Sequence, residues 1–226
     1  FDEARGVTPL DGSGNNTILY DDAWEWNGDA WIQRPVPGPP ARFGSRMVFD
    51  ASRQALSIFG GTSNSGSNRE TWEWNGASWT NRSFVCPPAR TDAAIAYDAH
   101  RGTMLMLGGW SNFTVQRDTW VWDGSAWSSR EVTGPSARYG HAMVFDAARD
   151  RTVLFGGWAA GDDAGATWEW DGASWTRPSV VSPAPRSFHA MAYDEGRERV
   201  VLFGGLTGDV TYDETWEWDG ASWSRR

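Results

Sequence analysis

Lysine is missing from this chain: all 20 basic residues among its 226 are arginine, set against 29 acids for a formal charge of −9. So acidic a chain lacks the basic surplus that grips phosphate backbones or anionic lipid, so neither nucleic acid nor membrane is an expected partner. Cysteine is nearly missing too. A lone Cys86 excludes an intramolecular disulfide framework and any multi-cysteine zinc site, and is expected to be packed or idle. No apolar run reaches the length of a membrane span. Phe1 opens without a basic-then-apolar leader, which leaves the cytoplasm open beside the slightly favoured cell surface or exterior. The Asn-x-Ser/Thr triplets at Asn15, Asn81 and Asn112 are too common by chance to decide between them. There is no HExxH, CxxC or phosphate-cradling glycine motif.

What is abundant is tryptophan, with 17 copies. Trp24, Trp72, Trp120, Trp168 and Trp216 follow one another at a constant step of 48. Two further series keep the same step: Trp26 to Trp218, and Trp31 to Trp223. Arg42, Arg90, Arg138 and Arg186 repeat likewise, as do Gly60, Gly108, Gly156 and Gly204, and no insertion breaks the register. Such self-similarity defines five units: 1–34, 35–82, 83–130, 131–178 and 179–226. Each full unit carries four strand signals. In the fourth they fall at 139–145, 151–155, 167–170 and 174–177, with Asp171-Gly172 predicted to turn a tight hairpin. The second strand is nearly all apolar (MLML, TVLF, VVLF), as a strand covered on both faces should be. The three repeating tryptophan series are expected to be mainly core, each ring removing up to ~200 Å² from water.

Arg138-Tyr139-Gly140-His141, then Gly156-Gly157, Trp168 and Trp175, resembles the kelch repeat in order and spacing, and the likeness runs through all five units. The resemblance implies an all-β, kelch-type β-propeller in one domain: five blades of four short antiparallel strands, the first incomplete. It implies little about function, because kelch proteins include enzymes, adaptors and lectin-like binders. The galactose-oxidising relatives need a copper site and a cysteine–tyrosine pair that find no match here. The charged catalytic residues of the sialic-acid-epimerising relatives do not map. An enzyme is therefore the third reading.

Unit 1 lacks a counterpart of residues 35–48, and Pro9 and Asp11 weaken its second strand. Three explanations stay open: a longer natural chain, a ring tolerating one three-stranded blade, or completion by another chain in a homo-oligomer through the incomplete blade. The single-chain ring is preferred.

In a meander, turns between the first and second strands share one end with those between the third and fourth. They are uniform here. The second-to-third loops (TSNSGSNRE, WSNFTVQRD, WAAGDDAGA, LTGDVTYDE) share the opposite end and vary, so a binding site is sought there. Trp110 and Trp158 follow the Gly-Gly pair in adjacent units, outside the repeating series, and Phe113 lies in the same loop as Trp110. Rim aromatics either stack sugars, bases or proline-rich peptides or cap the core beneath; both readings stand. Arg90, Arg138 and Arg186 begin the inner strands near that end. The resemblance implies acidic ligands for arginines placed so, whereas pairing with Glu70, Asp118 and Glu214 is the preferred alternative for the series. Unit 4 has Ala166 at the acid's position, which singles out Arg138; Asp162 and Asp163 are the alternative counter-charges. His141 and His189 are expected to be structural. Acid pairs such as Asp209 with Asp213 read as solvated, and no metal or cofactor is expected. The leading expectation is a non-catalytic module binding carbohydrate or protein/peptide; the second is a structural, self-assembling propeller.

Overall fold

A computed structural model of the protein describes residues 8–11, 19–159 and 164–226. Every regular element in them is a β-strand. Unit 2 forms an antiparallel meander of Arg46–Asp50, Ala55–Phe59, Thr71–Trp74 and Trp79–Asn81, hydrogen-bonded in chain order. Unit 3 repeats it with Ala94–Asp98, Thr103–Leu107, Thr119–Trp122 and Trp127–Arg130. Units 4 and 5 do the same, from Ala142–Asp146 to Trp175–Thr176 and from Ala190–Asp194 to Trp223–Arg225. In unit 1 the described strands number three: Thr8–Asp11, Ala23–Trp26 and Trp31–Arg34. Pro9 does not abolish the weak strand. Leu10 opposes Trp24 as Ile58 opposes Trp72, the same register one unit on.

The core lies between sheets. Phe59 of unit 2 packs with Met104, Met106, Trp122 and Trp127 of unit 3, and Cys86 sits half-buried against this cluster. Ala94, Ala96, Leu105 and Leu107 of unit 3 pack with Met143, Leu154, Trp170 and Trp175 of unit 4. Val153 and Phe155 of unit 4 meet Val200, Leu202, Trp218 and Trp223 of unit 5. The apolar second strands of units 2 to 4 are thus covered on both faces, as their composition demands, while in unit 5 the strand ends on an exposed Phe203. From unit 2 to unit 5 the inner strand of each unit packs on the inner strand of the next. At one end the backbones are linked in series: Asp92 donates to the Gly44 carbonyl (3.0 Å), Gly140 to Asp92 (3.0 Å) and Phe188 to Gly140 (2.7 Å). Repeated four-stranded sheets joined side by side at their inner strands form a propeller-like arrangement.

Two local expectations need correction. The Asx-Gly hairpins are four-residue loops, since Trp170 pairs with Trp175. Of each Asx-Gly pair only the glycine takes a positive φ; the Asx side chain caps the loop, with Asp171 Oδ1 accepting from Ala173 and Ser174 N–H (both 2.8 Å). The first strand of unit 4 also starts later, at Ala142, because Arg138–Tyr139 leaves the main sheet to pair with Trp158–Ala159. Two-residue ladders of this kind top the variable end, as in Trp110–Ser111 with Thr114–Val115.

Candidate functional site: an aromatic cluster at the variable end

The two-residue ladders decide which side chains meet. Tyr139 is paired with Trp158 in its own unit, while the Trp110 ladder of unit 3 lies alongside. The Tyr139 ring accordingly touches three others. Its centroid is 5.5 Å from Trp110 in an edge-on arrangement (73°), 5.5 Å from Trp158 (36°) and 6.2 Å from Phe188 (65°). Trp158 is 51% exposed and Phe188 52%, so the cluster presents open ring surface. Beside it lies a cavity of ≈ 360 Å³, lined by Tyr139, Trp158, Pro185, Phe188, Leu206 and Thr207 among others. A larger groove of ≈ 600 Å³ runs along Arg177, Pro178, Val180 and Pro183 but has no aromatic wall.

Phe188 is held unusually. Its φ is +57°, at a place in the repeat where Gly44, Asp92 and Gly140 also have positive φ. Glycine adopts that conformation freely and Asp tolerates it; a bulky side chain does so at a cost of about 1–2 kcal/mol. Nothing in the packing of the core calls for a phenylalanine there, since half its surface faces solvent.

The sequence candidates therefore divide. Trp110 and Trp158 come together through Tyr139. Phe113 stands apart at the tip of the Trp110 hairpin, 92% exposed and in no ring contact among the described residues. The arginines are interior. Arg90 forks onto both carboxylate oxygens of Asp118 (2.6 and 2.7 Å), and Arg186 reaches Glu214 (2.9 Å) while stacking over Tyr212 (4.0 Å). In each triad the acid also accepts an indole N–H, Trp120 for Asp118 and Trp216 for Glu214. Burial alone would raise the pKa of Asp118; the hydrogen bonds from Arg90 outweigh it and hold the carboxyl below its ordinary value.

Arg138 is 0% exposed. With alanine at 166, Arg138 donates to the carbonyl and Oγ of Ser136 at 3.1 and 3.3 Å and to the Gly156 carbonyl at 2.8 Å; the two carbonyl contacts recur at Arg42, Arg90 and Arg186, and the Ser136 hydroxyl is particular to this unit. Asp162 and Asp163 lie outside the described residues. Burial, then the charges of Arg138 and Arg46, depress the pKa of His141 far below normal; burial and Arg186 bring His189 to about 4. Both are neutral rings in the interior at physiological pH. Among the described residues no three His, Cys, Asp or Glu side chains gather as a metal set.

Tyr139 and Phe188 were missed in the sequence because each occupies an ordinary position of the repeat. The available signal was at 188, where the other units carry Gly or Asp and this one a phenylalanine. Compared with known proteins, the chain matches no protein-family model and no curated protein.

Proposed function

We propose that the chain is a five-bladed, kelch-type β-propeller scaffold that binds a carbohydrate on its variable end, stacked on the Trp110–Tyr139–Trp158–Phe188 cluster. The reading rests on one observation: Tyr139 holds three aromatic rings in contact while two of them, Trp158 and Phe188, leave half their surface open above a cavity. Exposed, rigid aromatic faces match the apolar faces of pyranose rings, and Arg186, Ser187 and Thr207 line the same cavity with polar side chains. The positive φ of Phe188 supports the same reading, because backbone strain kept for an exposed ring implies use of that ring. Arg90, Arg138 and Arg186 hydrogen-bond inside the scaffold, which favours a neutral ligand over an acidic one.

A glycan array followed by titration of tryptophan fluorescence tests it. Trp158→Ala should weaken the selected sugar about tenfold or more, the loss of roughly 1.4 kcal/mol of stacking. Phe188→Gly should weaken it similarly while leaving the melting temperature unchanged or raised, since strain is relieved. Binding of proline-rich peptides in place of sugars at the same residues would replace carbohydrate by peptide. Sugar affinity untouched by both substitutions would remove the site.

A further inference from the structure

The junctions between units repeat one set of contacts. The fourth-strand tryptophan of the following unit donates its indole N–H to a threonine of the preceding one: Trp127 to Thr71 (2.8 Å), Trp175 to Thr119 (3.0 Å) and Trp223 to Thr167 (2.8 Å). The same ring rests on a phenylalanine ending the preceding unit's second strand, Phe59 for Trp127 (5.4 Å) and Phe155 for Trp223 (5.5 Å). An arginine of the preceding unit then caps the following unit's hairpin, Arg53 on the Gly124 carbonyl and Arg101 on that of Asp171 (both 2.9 Å).

Unit 5 displays every part of this socket, and among the described residues nothing is seated in it. Phe203, equivalent to Phe59 and Phe155, is 54% exposed. Thr215 stands where Thr71, Thr119 and Thr167 stand. Ala190 and Ala192 are exposed, whereas Ala94 and Ala96 at the same positions of unit 3 are buried. Arg197 is already braced as Arg53 is. Arg53 binds Asp50 (2.8 Å) and Glu73 (2.5 Å); Arg197 binds Asp194 (2.8 Å) and Glu217 (2.6 Å), and only the carbonyl beyond is missing.

Unit 1 displays the matching knob. Trp31 is 46% exposed. Its Asn27-Gly28 hairpin is open, with no atom of the described residues within 4 Å of where a Cβ on Gly28 would stand. At Gly124 and Gly172 that place is occupied by the guanidinium groups of Arg53 and Arg101.

We propose that the Phe203–Thr215–Arg197 face of unit 5 binds the Trp31 hairpin of a second copy of this chain, reproducing the internal junction between molecules. The inference is independent of sugar binding, which uses the end of the sheets and not their flank. Because knob and socket are different surfaces, the contact is heterologous; it requires the array to stay open between units 5 and 1, as the exposed Phe203 and Trp31 leave it, whereas closure of the same two surfaces within one chain would keep the chain monomeric.

Sedimentation velocity of the full chain over a concentration series tests this. The mean mass should rise at least twofold toward the millimolar range, in steps of one chain. Trp31→Ala removes the knob and keeps the socket; Phe203→Asp does the reverse. Each alone should stay monomeric, and their mixture should give 1:1 dimers that grow no further. Arg197→Gln offers a second socket variant, and circular dichroism melts establish that every variant is folded. A wild-type chain that stays monomeric throughout, or folded variants that fail to complement each other, would overturn the proposal.

Discussion

The indole–threonine bond at the junctions allows one energetic argument to be tested four times in one molecule. Thr71, Thr119 and Thr167 are buried and each accepts a tryptophan N–H from the next unit; Thr215 has the same place in the repeat and accepts none among the described residues. Replacing threonine by valine keeps the shape and removes the acceptor, stranding a donor in an apolar interface at a cost of about 1–3 kcal/mol. At roughly 2–4 °C per kcal/mol for a chain of this size, Thr71→Val and Thr119→Val should each lower the melting temperature by about 2–12 °C. Thr167 also lies 3.1 Å from Ser182 Oγ, so its variant is the less clean member of the set. Thr215→Val should change stability by no more than about 0.5 kcal/mol. Scanning calorimetry should use dilute protein, where any contact between copies at Thr215 is open. Equal losses at all four positions, or none at Thr71 and Thr119, would show that the indole bonds do not carry the junctions.

Two other outcomes follow from buried groups. His189 titrates at about 4 in the folded protein, against ~6.5 unfolded, so it favours the folded state fully above pH 6.5. That stability, roughly 3 kcal/mol, is lost as pH falls from about 6.5 to about 4, with His141 acting in the same direction. Urea unfolding at pH 7 and pH 4.5 should show a smaller difference for His189→Gln than for wild type; parallel losses would exclude the ring as the cause. Arg138→Met should destabilise by about 2–4 kcal/mol, because it strands the Gly156 carbonyl in the interior, yet leave sugar affinity of the folded protein unchanged. A thermal melt paired with the fluorescence titration separates the two effects.

The repeat made most of the architecture legible. A step of 48 without insertions placed strands, glycines and tryptophans in phase, and the pairing of Arg42, Arg90 and Arg186 with Glu70, Asp118 and Glu214 was readable from matching phases. What stayed hidden was short or compensatory. Two-residue ladders such as Arg138–Tyr139 with Trp158–Ala159 have no periodicity to detect, yet they bring Tyr139 between two tryptophans. The loss of the acid at Ala166 pointed to a binding arginine; Ser136, whose hydroxyl accepts from Arg138, stands where other units have proline or alanine, two residues before the arginine, and carries no repeat signal of its own. The Asx-Gly hairpins were placed correctly but closed differently, since side-chain capping needs only one positive φ.

Among the described residues the hydrogen bonds that join units reach the adjacent unit, spanning 45 to 56 residues in the indole–threonine and tyrosine–backbone links alike. Such a chain behaves as beads on a line, each stabilised by the adjacent pair. Excising residues 83–130 would set Phe59 against Trp175 as Phe155 now faces Trp223, leaving a shorter array whose surviving seams are chemically the same. Unit number is therefore a quantity that gene duplication or loss can alter in whole steps without redesigning any side chain.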